Sequence, residues 1–230
     1  MKTAQLTDSI TQLTRFGMVN AYFVREQDGF TLVDTMLTKS TDGILTAARK
    51  LHVPIVRIAL THGHGDHVGS LDDLVANLGD QAEVLAPARD AKIMAGDKSL
   101  TAEEAAEGKL KGSWPAVKTK PGVLLSPGDR VGSLEVVATP GHTPGHVAFL
   151  DTRDRSVLCG DALFTKGGTT VSGKFNWRFP LPTLATWSPA VALESARTIA
   201  ALEPTLLGPG HGAAVQSPGE AIAKAIAEAS

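Results

Sequence analysis

The chain has 230 residues, 43% of them hydrophobic, with 22 basic against 24 acidic side chains for a net charge of -2. Such a length supports a full core without disulfides, folding to roughly 10,000 Å² of surface with about 70% of the unfolded surface buried. Near-neutral charge argues against non-specific nucleic-acid or acidic-membrane binding, and no apolar run approaches the ~18 residues of a membrane span.

The opening, Met1-Lys2-Thr3-Ala4-Gln5-Leu6-Thr7-Asp8, lacks the apolar core of a signal peptide. One cysteine cannot form an internal disulfide. These features predict one cytoplasmic domain over residues 1–230, with no nucleic-acid and no membrane partner.

Residues 19–24 and 30–33 are β-rich runs joined by a turn at Asp28-Gly29. Residues 40–51 read as a helix, with Ser40 as its N-cap. A strand follows at 55–60. Val68, Leu71, Leu74, Val75 and Leu78 form a single stripe, which predicts a helix over 68–78 that stops at Gly79. Residues 83–86 read as a strand and 88–95 as a helical turn. Residues 96–121 are polar and irregular, with five lysines against three glutamates, and read as an excursion over the surface.

Strand patterns return at 123–125, 134–138, 147–150 and 156–159. A second long loop covers 165–183. Ser188-Pro189 opens a helix to about residue 202 by the cap-plus-proline rule. A strand at 205–207 and a helix at 217–227 close the chain. The order suggests two similar halves whose sheets are covered by helices.

The chemistry lies in the histidines. The run Thr61-His62-Gly63-His64-Gly65-Asp66-His67 places four metal-binding side chains within six positions, where a strand ends and a helix starts. Nitrogen and oxygen donors suit zinc or another divalent transition metal. Further candidates lie in strand-end loops: His142 and His146 in Thr139-Pro140-Gly141-His142-Thr143-Pro144-Gly145-His146, Asp161 after Cys159-Gly160, and His211 in Gly208-Pro209-Gly210-His211-Gly212. Spacing alone leaves their convergence open.

These motifs, together with Gly160-Asp161-Ala162-Leu163-Phe164, resemble the metallo-β-lactamase fold superfamily, in family order. The resemblance implies an α/β (α+β) chain folded as a four-layer αβ/βα sandwich, two mixed β-sheets flanked by helices. It implies two divalent metal ions, zinc first, with iron or manganese as alternatives. His62, His64 and His142 match the ligands of one ion. Asp66, His67 and His211 match those of the other, and Asp161 the carboxylate that bridges both. Asp34 matches a family aspartate below the site that orients a histidine. His146 is expected to support the site rather than bind metal, and Cys159 to lie in the core.

The implied activity is hydrolysis of a small ester, lactone or thioester by a metal-bridging hydroxide, with Asp66 or Asp161 moving the proton. Having both His67 and Asp161 sets the chain apart from dedicated β-lactamases. It also lacks room for the helical extension of glyoxalase II enzymes. The lactonase branch commonly uses a tyrosine, and the only one here is Tyr22. Amide hydrolysis of the β-lactamase kind and a single-iron persulfide dioxygenase on this fold are the alternatives. Trp114, Lys166, Lys174, Trp177 and Arg178 are the expected substrate rim. A small-molecule substrate is the expected partner, and a homodimer is compatible with the sequence.

Overall fold

The computed structural model describes residues 1–230. In the first half the strands are β1 (Lys2–Gln5), β2 (Ile10–Arg15), β3 (Val19–Arg25), β4 (Phe30–Val33), β5 (Ile55–Ala59), β6 (Glu83–Pro87) and β7 (Val123–Leu125). Its helices are α1 (Thr41–Lys50), α2 (Gly65–Val68), α3 (Leu71–Leu78), α4 (Ala88–Met94) and α5 (Ala102–Glu107). The second half supplies β8 (Arg130–Val131), β9 (Leu134–Ala138), β10 (Val147–Asp151), β11 (Ser156–Gly160), the hairpin β12 (Leu163–Phe164) and β13 (Thr170–Val171), then β14 (Leu206–Pro209) and β15 (Val215–Gln216). Its helices are α6 (Leu181–Ala185), α7 (Pro189–Ala201) and α8 (Gly219–Ala229).

Two mixed sheets result. The first runs β1-β2-β3-β4-β5-β6-β7, antiparallel as far as β4 and parallel beyond it. The second runs β15-β14-β11-β10-β9-β8, with β11 and β14 its parallel pair.

The period-2 alternation of a strand sorts the core into three layers. Val19, Ala21 and Phe23 of β3 face a cluster shared with Ile44 of α1 and Leu71 and Leu74 of α3, while Tyr22 and Val24 face the space between the sheets. On the other sheet, Leu158 points inward to that same space. Val157 and Cys159 point outward to Ala192, Ala196 and Ile199 of α7 and to Ile222 and Ala225 of α8. The order is therefore helix, sheet, sheet, helix, as the resemblance implied. The folded surface is 9955 Å², matching the size expected for the length.

Several expectations need correction. The stripe over 68–78 does not form one helix, because the chain breaks at Gly69 and Ser70 between α2 and α3. Ser70 is buried there and donates its hydroxyl to the Leu37 carbonyl. Ser40 precedes α1 but makes no capping bond; its hydroxyl donates to the Leu37 carbonyl instead. Both irregular stretches contain structure: α5, opened by a Thr101–Glu104 capping box, lies in the first, and β13 and the start of α6 in the second. By contrast, Ser188 caps α7 as expected, accepting from the Val191 N–H with Pro189 following.

Candidate metal centre

The ends of strands from both sheets meet at one edge of the sandwich. His62, His64, Asp66 and His67 follow β5, His142 precedes β10, Asp161 follows β11 and His211 follows β14. An isolated antiparallel bridge between Val19 and His211 ties the two sheets together at this point. Donor atoms of His62, His64 and His142 lie within 4.8 Å of one another, as do those of Asp66, His67 and His211 and those of His62, His67 and Asp161. All seven sequence-predicted ligands therefore converge. Six are buried, and only the Asp66 side chain is appreciably exposed, at 33%.

Each histidine has one ring nitrogen fixed from behind. His67 Nδ1 donates to Asp34 Oδ2 at 2.7 Å. His62 Nδ1 donates to Thr61 Oγ1 at 3.0 Å, since that hydroxyl's own proton goes to Asp34 Oδ2 at 2.8 Å. His142 Nδ1 donates to Thr186 Oγ1 at 3.1 Å, a hydroxyl that itself donates to the Pro182 carbonyl. His64 Nε2 donates to the Lys111 carbonyl at 3.0 Å, and His211 Nδ1 to the Met18 carbonyl at 3.1 Å. A neutral imidazole carries one N–H, so the second nitrogen of His62, His64 and His142 presents a lone pair inward, and those of His67 and His211 do so once a second ring proton has left.

The inward atoms are short of partners in a way that suits cations. His62 Nε2, His67 Nε2 and Asp161 Oδ1 are buried without a hydrogen-bond partner. His64 Nδ1 and His142 Nε2 face each other at 2.9 Å, a repulsive pair of lone pairs unless a positive charge lies between them. Asp161 Oδ1 lies 3.3 Å from His67 Nε2, and its Oδ2 lies 3.4 Å from His142 Nε2 and 3.1 Å from His211 Nε2. Gly210 makes this approach possible, because a Cβ there would lie 2.1 Å from Asp161 Oδ1. The donor set fits divalent transition metals.

Protonation divides the cluster. Burial, reinforced by the neighbouring histidines, holds His62 well below the ordinary imidazole range. Burial likewise lowers His142 and His64 despite nearby carboxylates. For His211, burial is outweighed by Asp161 and Asp66, and the ring is pushed up to about 10. His67 is also raised, because Asp161 and Asp34 outweigh its burial.

A family model described as the metallo-beta-lactamase superfamily matches residues 14–211. The chain belongs to that superfamily. The uncharacterized protein YobT of Bacillus subtilis (strain 168) is 43% identical over 225 residues, covering 96% of each chain. A hydroxyacylglutathione hydrolase of Rhodopseudomonas palustris (strain HaA2) is 32% identical over 128 residues, 54% of this chain and 40% of that one. A crystal structure of TTHA1623 in a di-iron-bound form superposes with a TM-score of 0.65 at 28% identity, covering 90% of this chain and 94% of that one.

Around this histidine–aspartate cluster the supporting residues are as informative as the candidate ligand positions. Asp34 accepts from His67, from the Thr61 hydroxyl and from the Thr61 N–H at 2.8 Å. His146 Nε2 accepts the Asp161 N–H at 3.0 Å, so its proton sits on Nδ1, directed at Thr139 Oγ1. That nitrogen is occupied, which keeps His146 in a supporting position. Cys159 is buried in the core, and burial pushes its thiol up to about 12.

The expected rim divides. The Trp114 ring lies 4.8 Å from that of His64. Lys166, Lys174, Trp177 and Arg178 are exposed, Trp177 to 75%, with the Arg178 guanidinium over the Trp177 ring. From this segment it is Phe179 that reaches the cluster, with its ring 5.3 Å from His211. Tyr22 does not face the cleft; it is buried and donates its hydroxyl to the Pro209 carbonyl at 2.6 Å.

Asp90 is the residue that sequence reasoning missed. Its buried carboxylate accepts from the Gly63 N–H, the Thr143 hydroxyl and the Gly145 N–H, clipping together the two loops that carry His62, His64 and His142. Burial raises it to about 6 against those three bonds. A lone aspartate on a short helix carried no signal of this; only the 27- and 53-residue separations closed by the fold reveal it.

Proposed function

We propose that the chain is a dinuclear metal-dependent hydrolase acting on a small ester, lactone or thioester. The observation that carries this reading is the convergence of seven donor side chains, with the free ring nitrogens of His62, His64 and His142 turned inward. His62 Nε2, His64 Nδ1 and His142 Nε2 would hold one ion, Asp66, His67 Nε2 and His211 Nε2 the other, and Asp161 both. When bound, two divalent cations supply an activated water near neutral pH and polarise a carbonyl oxygen. The nitrogen and oxygen donors suit zinc, and the likeness to di-iron TTHA1623 supports iron as the second choice.

The protein's own groups do the rest. Asp66 Oδ2 faces His211 Nε2 at 3.2 Å, which leaves Oδ1 to take up the proton released as water attacks and to deliver it to the leaving group. Of the seven, Asp66 alone also borders a cleft between the α2–α3 segment and residues 113–117. Phe179 and Trp114 offer apolar contact beside the histidines. Lys166, Lys174 and Arg178, with no acid between residues 166 and 178, offer attraction to a carboxylate. The likeness to a hydroxyacylglutathione hydrolase supports the thioester arm.

The test combines metal analysis with a substrate panel of lactone, thioester, aryl ester, phosphodiester and β-lactam on zinc- and iron-loaded protein. Two ions per chain and turnover of the ester group of substrates are expected. Fewer than one tightly bound ion, turnover confined to the β-lactam, or oxygen uptake with a persulfide and no hydrolysis would overturn the reading.

A further inference from the structure

Four of the five inward-facing histidines take their outer partner from the body of the fold or its capping segments: Thr61, Asp34, Thr186 and Met18. His64 alone depends on the polar excursion between α5 and β7. The Lys111 carbonyl accepts from His64 Nε2 at 3.0 Å and from Trp114 Nε1 at 2.8 Å. Two residues on, the Ser113 carbonyl accepts the Gly65 N–H at 2.9 Å.

We propose that residues 108–115 form a positioning strap that selects the tautomer of His64, placing its proton on Nε2 and turning Nδ1 to the metal centre. The strap is held at both ends. On one side Ser188 Oγ donates to Glu107 Oε2 at 2.8 Å and Trp187 Nε1 to the Glu104 carbonyl at 3.2 Å. On the other side the Lys118 and Thr119 N–H groups donate to Asp72 of α3. It thus spans from the start of α7 to α3 and crosses His64 between them. Lys111 and Gly112 act through His64.

Gly112 is what lets the strap come this close. Its φ is +76°, and a Cβ would lie 2.5 Å from His64 Nε2. A side chain there is strained by conformation and blocked by the imidazole itself, so the strap must lift and surrender the Lys111 bond. Without that acceptor the ring is free to move its proton to Nδ1, the nitrogen a cation needs. Partners in this outer position are worth ~10–100-fold in metal affinity.

The test uses Gly112→Ala in the full chain. Its first readout is the ¹⁵N chemical-shift pattern of the His64 ring in the metal-free protein, which reports the tautomer directly. Its second is zinc affinity measured by competition with a chromophoric chelator. The expected result is loss of the Nε2–H pattern, with one of two ions bound ~10–100-fold more weakly and the other within about twofold. An exposed strap substitution, Lys109→Ala, should change neither readout. An unchanged tautomer with both affinities retained would overturn the proposal, as would equal weakening of both ions. Trp114→Ala is the second variant if Gly112→Ala fails to fold: it removes the ring beside His64 and should weaken the same ion. The affinity readout rests on the dinuclear reading. The tautomer readout does not, so failure of either is recognised separately.

Discussion

The two halves of the metal centre use the same residue type to opposite ends. In the nitrogen half, His62, His64 and His142 face one another, and burial keeps them neutral. In the carboxylate half, His67 and His211 sit against Asp34, Asp66 and Asp161, and both rings are raised. Burial is nearly complete in both, so the difference comes from the placement of carboxylates. One half is ready for a cation as it stands. The other holds protons that a cation must displace.

The sharpest way to break this comparison is to remove what the halves share. Asp161→Ala should lower metal content and hydrolysis together, more than the ~100-fold ceiling typical of supporting residues. Metal analysis alongside turnover checks this, and unchanged turnover would remove the bridging role.

A second cut separates ligand positions from supports. His142→Ala should lose one ion and most activity. His146→Ala, which removes an acceptor of the Asp161 N–H, should cost only about 10-fold. Equal losses in metal titrations of the two variants would place His146 on a par with His142 at the metal position.

Acidity distinguishes the halves directly. With His211 at about 10 in the metal-free protein, binding at Asp66, His67 and His211 must release protons at neutral pH. That affinity should therefore fall as pH falls, by about tenfold per unit for each proton displaced. His62 and His142 carry no second ring proton at neutral pH, so an ion at their site should be held evenly until the solution is acid. Calorimetric metal titrations in buffers of different ionisation enthalpy would show proton release for one ion and little for the other.

A smaller effect tests the clip behind the nitrogen half. Asp90→Ala leaves two N–H groups and a hydroxyl without an acceptor, a loss of about 3 kcal/mol at ~1 kcal/mol or more per orphaned group. Thermal unfolding of the metal-free protein measures it. The smallest effect belongs to Tyr22→Phe, about 1 kcal/mol, because Asn20 Nδ2 still donates to the Pro209 carbonyl at 2.9 Å.

Much of this was legible in the chain. Strands such as β3 and β11, whose apolar residues fill both faces, stood out as runs, and the ligand positions stood out as motifs. What escaped notice had weak signals for physical reasons. β1 is fully exposed and β2 alternates with Thr and Gln, while β8 and β15 are two residues long. The α2–α3 break hid because the apolar stripe continues across it. Among the site's supports, Asp90, Thr186 and the Lys111 carbonyl act across sequence separations of 27 to 55 residues. One of them is a backbone atom, which no residue identity can announce.

Asp34 stands behind both halves. It accepts directly from His67 and, through Thr61, takes up the bond that begins at His62. On the proposed two-ion reading both seats would lean on this one carboxylate, so a charge placed at either would be felt at the end of a single strand, β4.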